Sequence, residues 1–440
     1  HFLVLIVLFI ISSEIFAQEG QWMEYTLDGF GSGTPVYDCG DGCCGYALEN
    51  SGSVLCFDVN KNDWMKIDLG ESQIFQHMKS SGNILFSLTD QLVFAYSSST
   101  GEWDTVYYEG TELPGSGWSS PCYGCSDSLA FFLTTENFYV FDGGDGEWKK
   151  YSYTFPGNFA NARYLINDNY IAAIISRTNY EEGYLNLSYS AFTGTFVELD
   201  PGANIIPVNY DDGYAGLFDK TGTGKEFLIV GYNAQKNQYT LLDYTAEDET
   251  AVIFSGSKLL PADPFHAYCI GFRKVVTPSE LLQIKYYGYS TALGEWNMVS
   301  YDIDLTNESY SGNGVIGGIF TSDYSIAGDA NMKRFFFFTS GDTSFHEVQS
   351  EIKSSSSGTH SGGKVFVAFD NQKGWGYNPT TRNGKEISFS HEKTTNQHIS
   401  DDFITLSRYS YDSNSMNTYF YNSRTSRWSS VELPKNTGLT

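Results

Sequence analysis

The side chains best suited to chemistry in this chain are its seven cysteines: Cys39, Cys43, Cys44, Cys56, Cys122, Cys125 and Cys269. Thiols either pair as disulfides or, as thiolates, hold a metal ion. Cys44 and Cys56 lie symmetrically about Asn50-Ser51, which sets them face to face across a tight turn. Cys39 with Cys43, and Cys122 with Cys125, are near enough along the chain for local bridges, and Cys269 is then left over. The rival chemistry is a metal site, because Cys122 and Cys125 have C-x-x-C spacing. Cys39, Cys43 and Cys44 would add ligands only if the fold brought the two stretches together.

Hard cations need several oxygens at one place, and Asp/Gly-rich stretches occur at 38–42, 142–146 and 211–213. None is a twelve-residue Ca²⁺ loop with its terminal Glu. Asp-Gly is also the ordinary dipeptide of tight turns, so turn-making is the expected role and Ca²⁺ the weaker alternative. The histidines are scattered without ligand spacing, and no G-x-S-x-G occurs. No catalytic residues are expected, although an active site assembled from single residues of many repeats would leave no local motif. Sequons begin at Asn186 and Asn307 and offer both to glycosylation.

What must position these groups is a repeat. The stretch 137–153, NFYVFDGGDGEWKKYSY, reads as strand, Gly/Asp turn and strand, with Phe141 seven residues before Trp148. The same spacing joins Phe57/Trp64, Tyr96/Trp103, Tyr189/Phe196, Tyr232/Tyr239, Tyr289/Trp296, Phe338/Phe345 and Tyr421/Trp428. Tyr377 leads a weaker copy, in which the turn reads as longer and Ile387 replaces the second ring. Nine copies at intervals of 39 to 57 residues define a repeat protein, and the 57-residue interval suggests an insertion. Each period divides into four short strands; in the third copy these fall near 118–125, 128–135, 137–142 and 147–153. Tyr and Phe, 32 of each, suit a half-buried pleated surface, and no helical period of apolar residues is sustained after residue 20. Four strands per repeat of this length is the pattern of a β-propeller blade. The expectation is all-β: one propeller of eight to nine blades over residues 18–440, with all the repeat rings packed as core wedges between blades.

The half-motif aromatic-Asp-x-x-x-Gly-Glu-Trp, from Phe141-Asp142 to Gly146-Glu147-Trp148, resembles the end of a kelch repeat. It recurs in part at Ser97–Trp103 and Ser290–Trp296. The resemblance implies a kelch-like propeller. As motif it covers only the third-to-fourth-strand half of each copy, and the Gly-Gly pair of kelch second strands is absent. The Ser-x-Asp-x-Gly-x-x-Trp box of sialidases is likewise incomplete in every copy.

Residues 1–17 resemble a secretory signal peptide cut after Ala17, with an apolar run too short to span a bilayer comfortably. Behind them, Gln21, Trp22, Met23, Glu24, Tyr25, Thr26 and Leu27 read as a strand that no copy needs. Such an arm can add to the last blade or to a neighbouring molecule. The net charge of −26 repels nucleic acid and anionic membranes. These features together suggest a secreted, non-catalytic scaffold, adhesion or self-assembling protein without a cofactor, working through protein partners. The alternatives are a carbohydrate-binding propeller, whose rings stack on glycans, and a carbohydrate-active enzyme with acidic residues at the central channel.

Overall fold

The computed structural model describes residues 33–111, 122–154, 159–177, 184–200, 206–210, 213–220, 226–245, 252–255, 267–276, 281–304, 308–316, 319–326, 332–338, 343–350, 358–362, 365–378, 381–390, 393–399, 402–409 and 415–434. The expected signal peptide at 1–17, the arm Gln21–Leu27 and the sequon asparagine Asn307 lie outside them. The described residues are all-β, and no helix among them is long and apolar enough to cross a membrane.

Every sheet is an antiparallel meander with its strands in chain order. Seven sheets have four strands, and the first has seven because the strand Asp63–Ser81 serves two units. It pairs with Asn50–Asp58 through its start and with Ile84–Thr89 through its end. Nine four-stranded units therefore follow one another among the described residues, one for each copy of the repeat, and the fold is of propeller type. Within the 57-residue interval the sixth unit has long strands, Ala267–Val276 and Leu281–Ser290, and its fourth strand Glu295–Asp304 follows.

Burial follows strand position. The third strands Leu92–Ser97, Asn137–Asp142 and Tyr184–Ser190 are buried at every residue, whereas the fourth strands Glu102–Tyr107 and Glu147–Ser152 alternate. A strand covered on both faces needs sheets stacked on both sides. One apolar cluster joins Phe131, Phe138 and Val140 of the third unit to Ile171, Leu187 and Tyr189 of the fourth. Another joins Val367 and Phe369 of the eighth to Leu406 and Tyr421 of the ninth. Close approach is helped where the residue before the first ring is glycine. At Gly231, Gly288 and Gly376, the next unit's ring fills the space a Cβ would take.

The seven-residue spacing is a register. Phe57, Tyr96, Phe141, Tyr189, Tyr232, Tyr289 and Tyr421 each sit directly opposite their second ring on the fourth strand. The ring centroids of Tyr289 and Trp296 are 4.8 Å apart, and those of Phe141 and Trp148 5.5 Å. Four residues make each turn, and the last has positive φ: Asn62, Gly101, Gly146, Gly194, Asn237, Gly294, Arg382 or Ser426. Its N–H donates back to the carbonyl four residues earlier at Gly101, Gly146, Gly194 and Gly294. That conformation crowds a Cβ, which explains the glycine of the Gly-Glu-Trp motif.

The repeat rings divide into two sets, which corrects the expectation that all of them are core wedges. The first rings are buried. The second rings, Trp64, Trp103, Trp148, Phe196, Tyr239, Trp296, Phe345 and Trp428, are only half-buried. The reason is their place in the sheet. Phe345 comes just before the fourth strand of its unit and the others lie on theirs, where the fourth strand pairs on one side only and is covered less than the third. Each second ring still packs on its partner, Phe57 with Trp64 at 5.4 Å, Phe338 with Phe345 at 4.8 Å and Tyr421 with Trp428 at 5.2 Å. Phe196 also stacks on Tyr151 of the preceding unit at 5.4 Å. Three indoles reach the preceding unit's fourth strand with their N–H groups: Trp148 Nε1 donates to the Asp104 carbonyl, Trp296 to that of Thr240 and Trp428 to that of Lys385.

The weaker copy differs from its expected form. Asn378 pairs with Asn383, so its turn is no longer than the others, and Tyr377 faces Gly384 rather than Ile387. The second ring comes from the third strand itself. Trp375 stacks on Tyr377 at 5.1 Å, and its indole covers Gly384.

Two stability outcomes follow, both measured by chemical denaturation. Phe141→Ala empties a fully buried ring site and is expected to cost about 3–5 kcal/mol, whereas a parent-like midpoint would refute the packing. Ser426→Gly relieves a positive φ and is expected to stabilise by up to about 1 kcal/mol, offset in part by the freer unfolded chain.

Candidate functional site

The polar chemistry of the chain is concentrated where one unit meets the next. The residue after each first ring ends the third strand, and it is a buried Asp, Ser or Asn in most copies. Asp58, Ser97, Asp142, Ser190, Asn233 and Asn378 all reach forward to the following unit. The two aspartates can only accept, and each takes a phenol: Tyr96 Oη donates to Asp58 Oδ2 at 2.6 Å, and Tyr189 Oη to Asp142 Oδ2 at 2.7 Å. The serines and asparagines donate. Ser97 Oγ bonds the Gly143 carbonyl at 2.7 Å, and Asn378 Nδ2 the Ser423 carbonyl at 2.9 Å. Ser190 and Asn233 reach the Ala234 and Thr291 carbonyls in the same way. In each case a carbonyl of the second residue after the next unit's first ring accepts, and Asn233 also reaches the Ala292 carbonyl.

The second acceptor atom of these side chains shapes its own turn. Asp142 Oδ1 accepts from Gly144 N at 3.0 Å, and Asp58 Oδ1 from Asn60 N at 2.8 Å. Turn-making is thus what the Asp/Gly stretch at 142–146 does, while Asp38 Oδ2 accepts from Ser80 N at 2.9 Å. Asp211 and Asp212 lie outside the described residues. Among the described residues no group of three or more His, Cys, Asp or Glu is placed to hold a metal ion.

The repeat aromatics are engaged in packing, the first rings fully and the second rings on one side. A feature that sequence reading missed is Arg408, which is 1% exposed and donates to the Asp370 and Asn371 carbonyls of the preceding unit. Its guanidinium lies 4.1 Å from the centroid of Phe389. An arginine in a strand that otherwise carries no charge, Phe403–Tyr409, was the signal for it. Asn186 corrects another expectation. Its side chain is buried in the strand Tyr184–Ser190, so the folded chain does not present it to a glycosylating enzyme.

The cysteine pairing also differs from expectation. Cys39, Cys43, Cys44, Cys56, Cys122 and Cys125 all carry free thiols. Cys56 lies opposite Gly45 and Cys44 opposite Phe57, so Cys44 and Cys56 point to opposite faces of the first sheet. Cys39 lies opposite Cys44 rather than beside Cys43. Cys122 packs toward the fourth unit and Cys125 toward the second, and burial pushes the Cys125 thiol up to about 12. Divergence of Cys43 and Cys44 also keeps the four thiols of the first sheet from converging on one ion.

No family model matches the chain, and neither does any curated protein. Among solved structures, similarity is found to the tricorn protease, with 10% identity and a TM-score of 0.27 over 91% of this chain. This chain spans 44% of that one. The WD40 domain of SCAP from fission yeast has 9% identity and a TM-score of 0.25, covering 83% of this chain and 90% of that domain. Hsv2 of Kluyvelomyces marxianus has 10% identity and a TM-score of 0.25, covering 91% and 98%. Nothing about activity or partners follows from likeness at this level.

The junctions make two predictions. A double-mutant cycle of Asp142→Ala with Tyr189→Phe should give a coupling of about 1–3 kcal/mol, and additivity would show that the bond holds nothing. The second concerns alkali. Burial, followed by the hydrogen bond to Asp58 or Asp142, raises the phenols of Tyr96 and Tyr189, and burial raises Tyr214 to about 12. A raised phenol favours the neutral, folded form. That stability is whole below the ordinary tyrosine value of about 10 and is lost as pH rises from there through the folded values. Buried tyrosines should therefore ionise together with loss of near-ultraviolet dichroism. Full ionisation at about pH 10 with the signal intact would contradict their burial.

Proposed function

We propose that this chain is a secreted, non-catalytic propeller whose outer strands dock other protein chains, further copies of itself included. In this reading the nine units are blades of one ring spanning residues 18–440, kelch-like in the half-motif of their third and fourth strands. A leader ending at Ala17 accounts for the apolar start. The observation that carries the proposal is where large apolar side chains remain exposed. Of the eight large apolar side chains exposed among the described residues, four, Tyr107, Leu241, Met298 and Val431, lie on fourth strands, each the last strand of its sheet, with Tyr107 73% exposed. An edge strand with apolar side chains is a surface for another chain.

Leu241 and Met298 strengthen this reading. They occupy equivalent positions, nine residues after Tyr232 and Tyr289, on fourth strands that pack beside each other. The sugar-stacking alternative has less to stand on, since the repeat rings are used in packing. The acidic surface suits partners with basic faces.

The test is light scattering of the secreted chain over a range of concentrations, beside the variant Leu241→Glu/Met298→Glu. The proposal expects association that the variant loses while its melting point is kept. A chain monomeric throughout that binds a glycan through these residues would overturn it, and mass spectrometry of the secreted product should place its start after Ala17.

A further inference from the structure

The first sheet holds four of the seven cysteines, and its register sorts them into two pairs on opposite faces. Cys39, in the strand Pro35–Cys39, lies directly opposite Cys44, in the strand Cys43–Leu48. Gly40 N donates to the Cys43 carbonyl at 2.9 Å, so the neighbouring Cys39/Cys44 position is one without ladder bonds. Side chains approach most closely at such positions, with Cα atoms about 4.5 Å apart, inside the range a disulfide needs. Cys44 is the largest influence on the Cys39 thiol and Cys39 on that of Cys44. On the other face, Cys43 is the diagonal neighbour of Cys56, since Cys56 lies opposite Gly45 two residues on. Each of these two thiols shifts the other's titration, and both lie within the cluster that packs the first unit against the second.

We propose that the first blade is a redox-sensitive staple, closed by a Cys39–Cys44 bridge on one face and a Cys43–Cys56 bridge on the other. The bridges tie its first strand to its second and its second to its third. They differ in access. Cys39 is exposed, and the neighbouring Cys44 holds its thiol below the usual range, which makes it the attacking group. Cys43 and Cys56 are both 0% exposed beneath the second unit, so their bridge forms only before that unit packs.

The oxidant is a small-molecule disulfide. The Cys39 thiolate attacks one of its sulfurs and expels a thiolate. The Cys44 sulfur then attacks Cys39 in the mixed disulfide and expels the second. Two protein thiols become one disulfide, one donor disulfide becomes two thiols, and the two protons pass to the leaving groups.

The experiment is a thiol count on the full chain by alkylation and intact mass. Folded, reduced protein treated with oxidised glutathione should fall from seven alkylatable thiols to five. The same treatment during refolding from denaturant should leave three. Variants assign the pairs: Cys43→Ala/Cys56→Ala keeps the native-state loss, and Cys39→Ala/Cys44→Ala keeps only the refolding loss. A third variant, Cys39→Ala/Cys43→Ala, should form no bridge within the first sheet. Seven thiols under both conditions, or a Cys44–Cys56 bridge in the third variant, would overturn the assignment. If a variant fails to fold, the unmodified chain still decides it, because a folded protein that loses no thiols lacks the Cys39–Cys44 staple.

Discussion

The constraint on which most of this fold depends is the buried polar residue that ends the third strand in six of its units. The third strand ends under the next sheet, and a buried polar side chain without a partner costs free energy. That side chain must therefore bond forward, and its chemistry dictates its partner's. Asp58 and Asp142 cannot donate, so Tyr96 and Tyr189 bring the proton; Ser97, Ser190, Asn233 and Asn378 can donate, so they take carbonyls. Rings stacked beside these bonds supply apolar area, while the bonds fix how one sheet sits on the next. Ring packing alone would tolerate sliding, and directional bonds at fixed positions do not.

This division of labour limits where function can reside. The aspartates of the described turns and the repeat rings are engaged in holding units together. The outer side of the fourth strands is one surface that this packing does not use. There the alternation leaves side chains such as Tyr107 and Met298 facing solvent.

The repeat was legible because cross-strand pairing has a fixed length: two paired rings around a four-residue turn are always seven residues apart. In the fifth copy the strands Glu226–Asn233 and Gln238–Thr245 carry that spacing, with Tyr232 opposite Tyr239. Spacing names the partners but not which of the two strands ends the sheet, so the half-burial of Trp64, Phe196, Phe345 and Trp428 was hidden. The junction bonds were not legible, because each joins residues about forty or more apart whose pairing exists only once sheets stack. Cysteine pairing failed for a smaller reason. Symmetry about Asn50-Ser51 suggested Cys44 opposite Cys56, and a register one residue away turned Cys44 to the other face. In the weak copy, Trp375 supplies the missing ring from the third strand, and no spacing rule looks there for it.

If the junctions hold the molecule, the units cannot open singly. Native-state hydrogen exchange followed by mass spectrometry tests this most directly. The amides of Leu92–Ser97, Asn137–Asp142, Tyr184–Ser190 and Glu226–Asn233 are predicted to exchange through one shared opening, with a common free energy and a common denaturant dependence. Separate opening energies for these four strands, with each unit exchanging independently, would contradict the account.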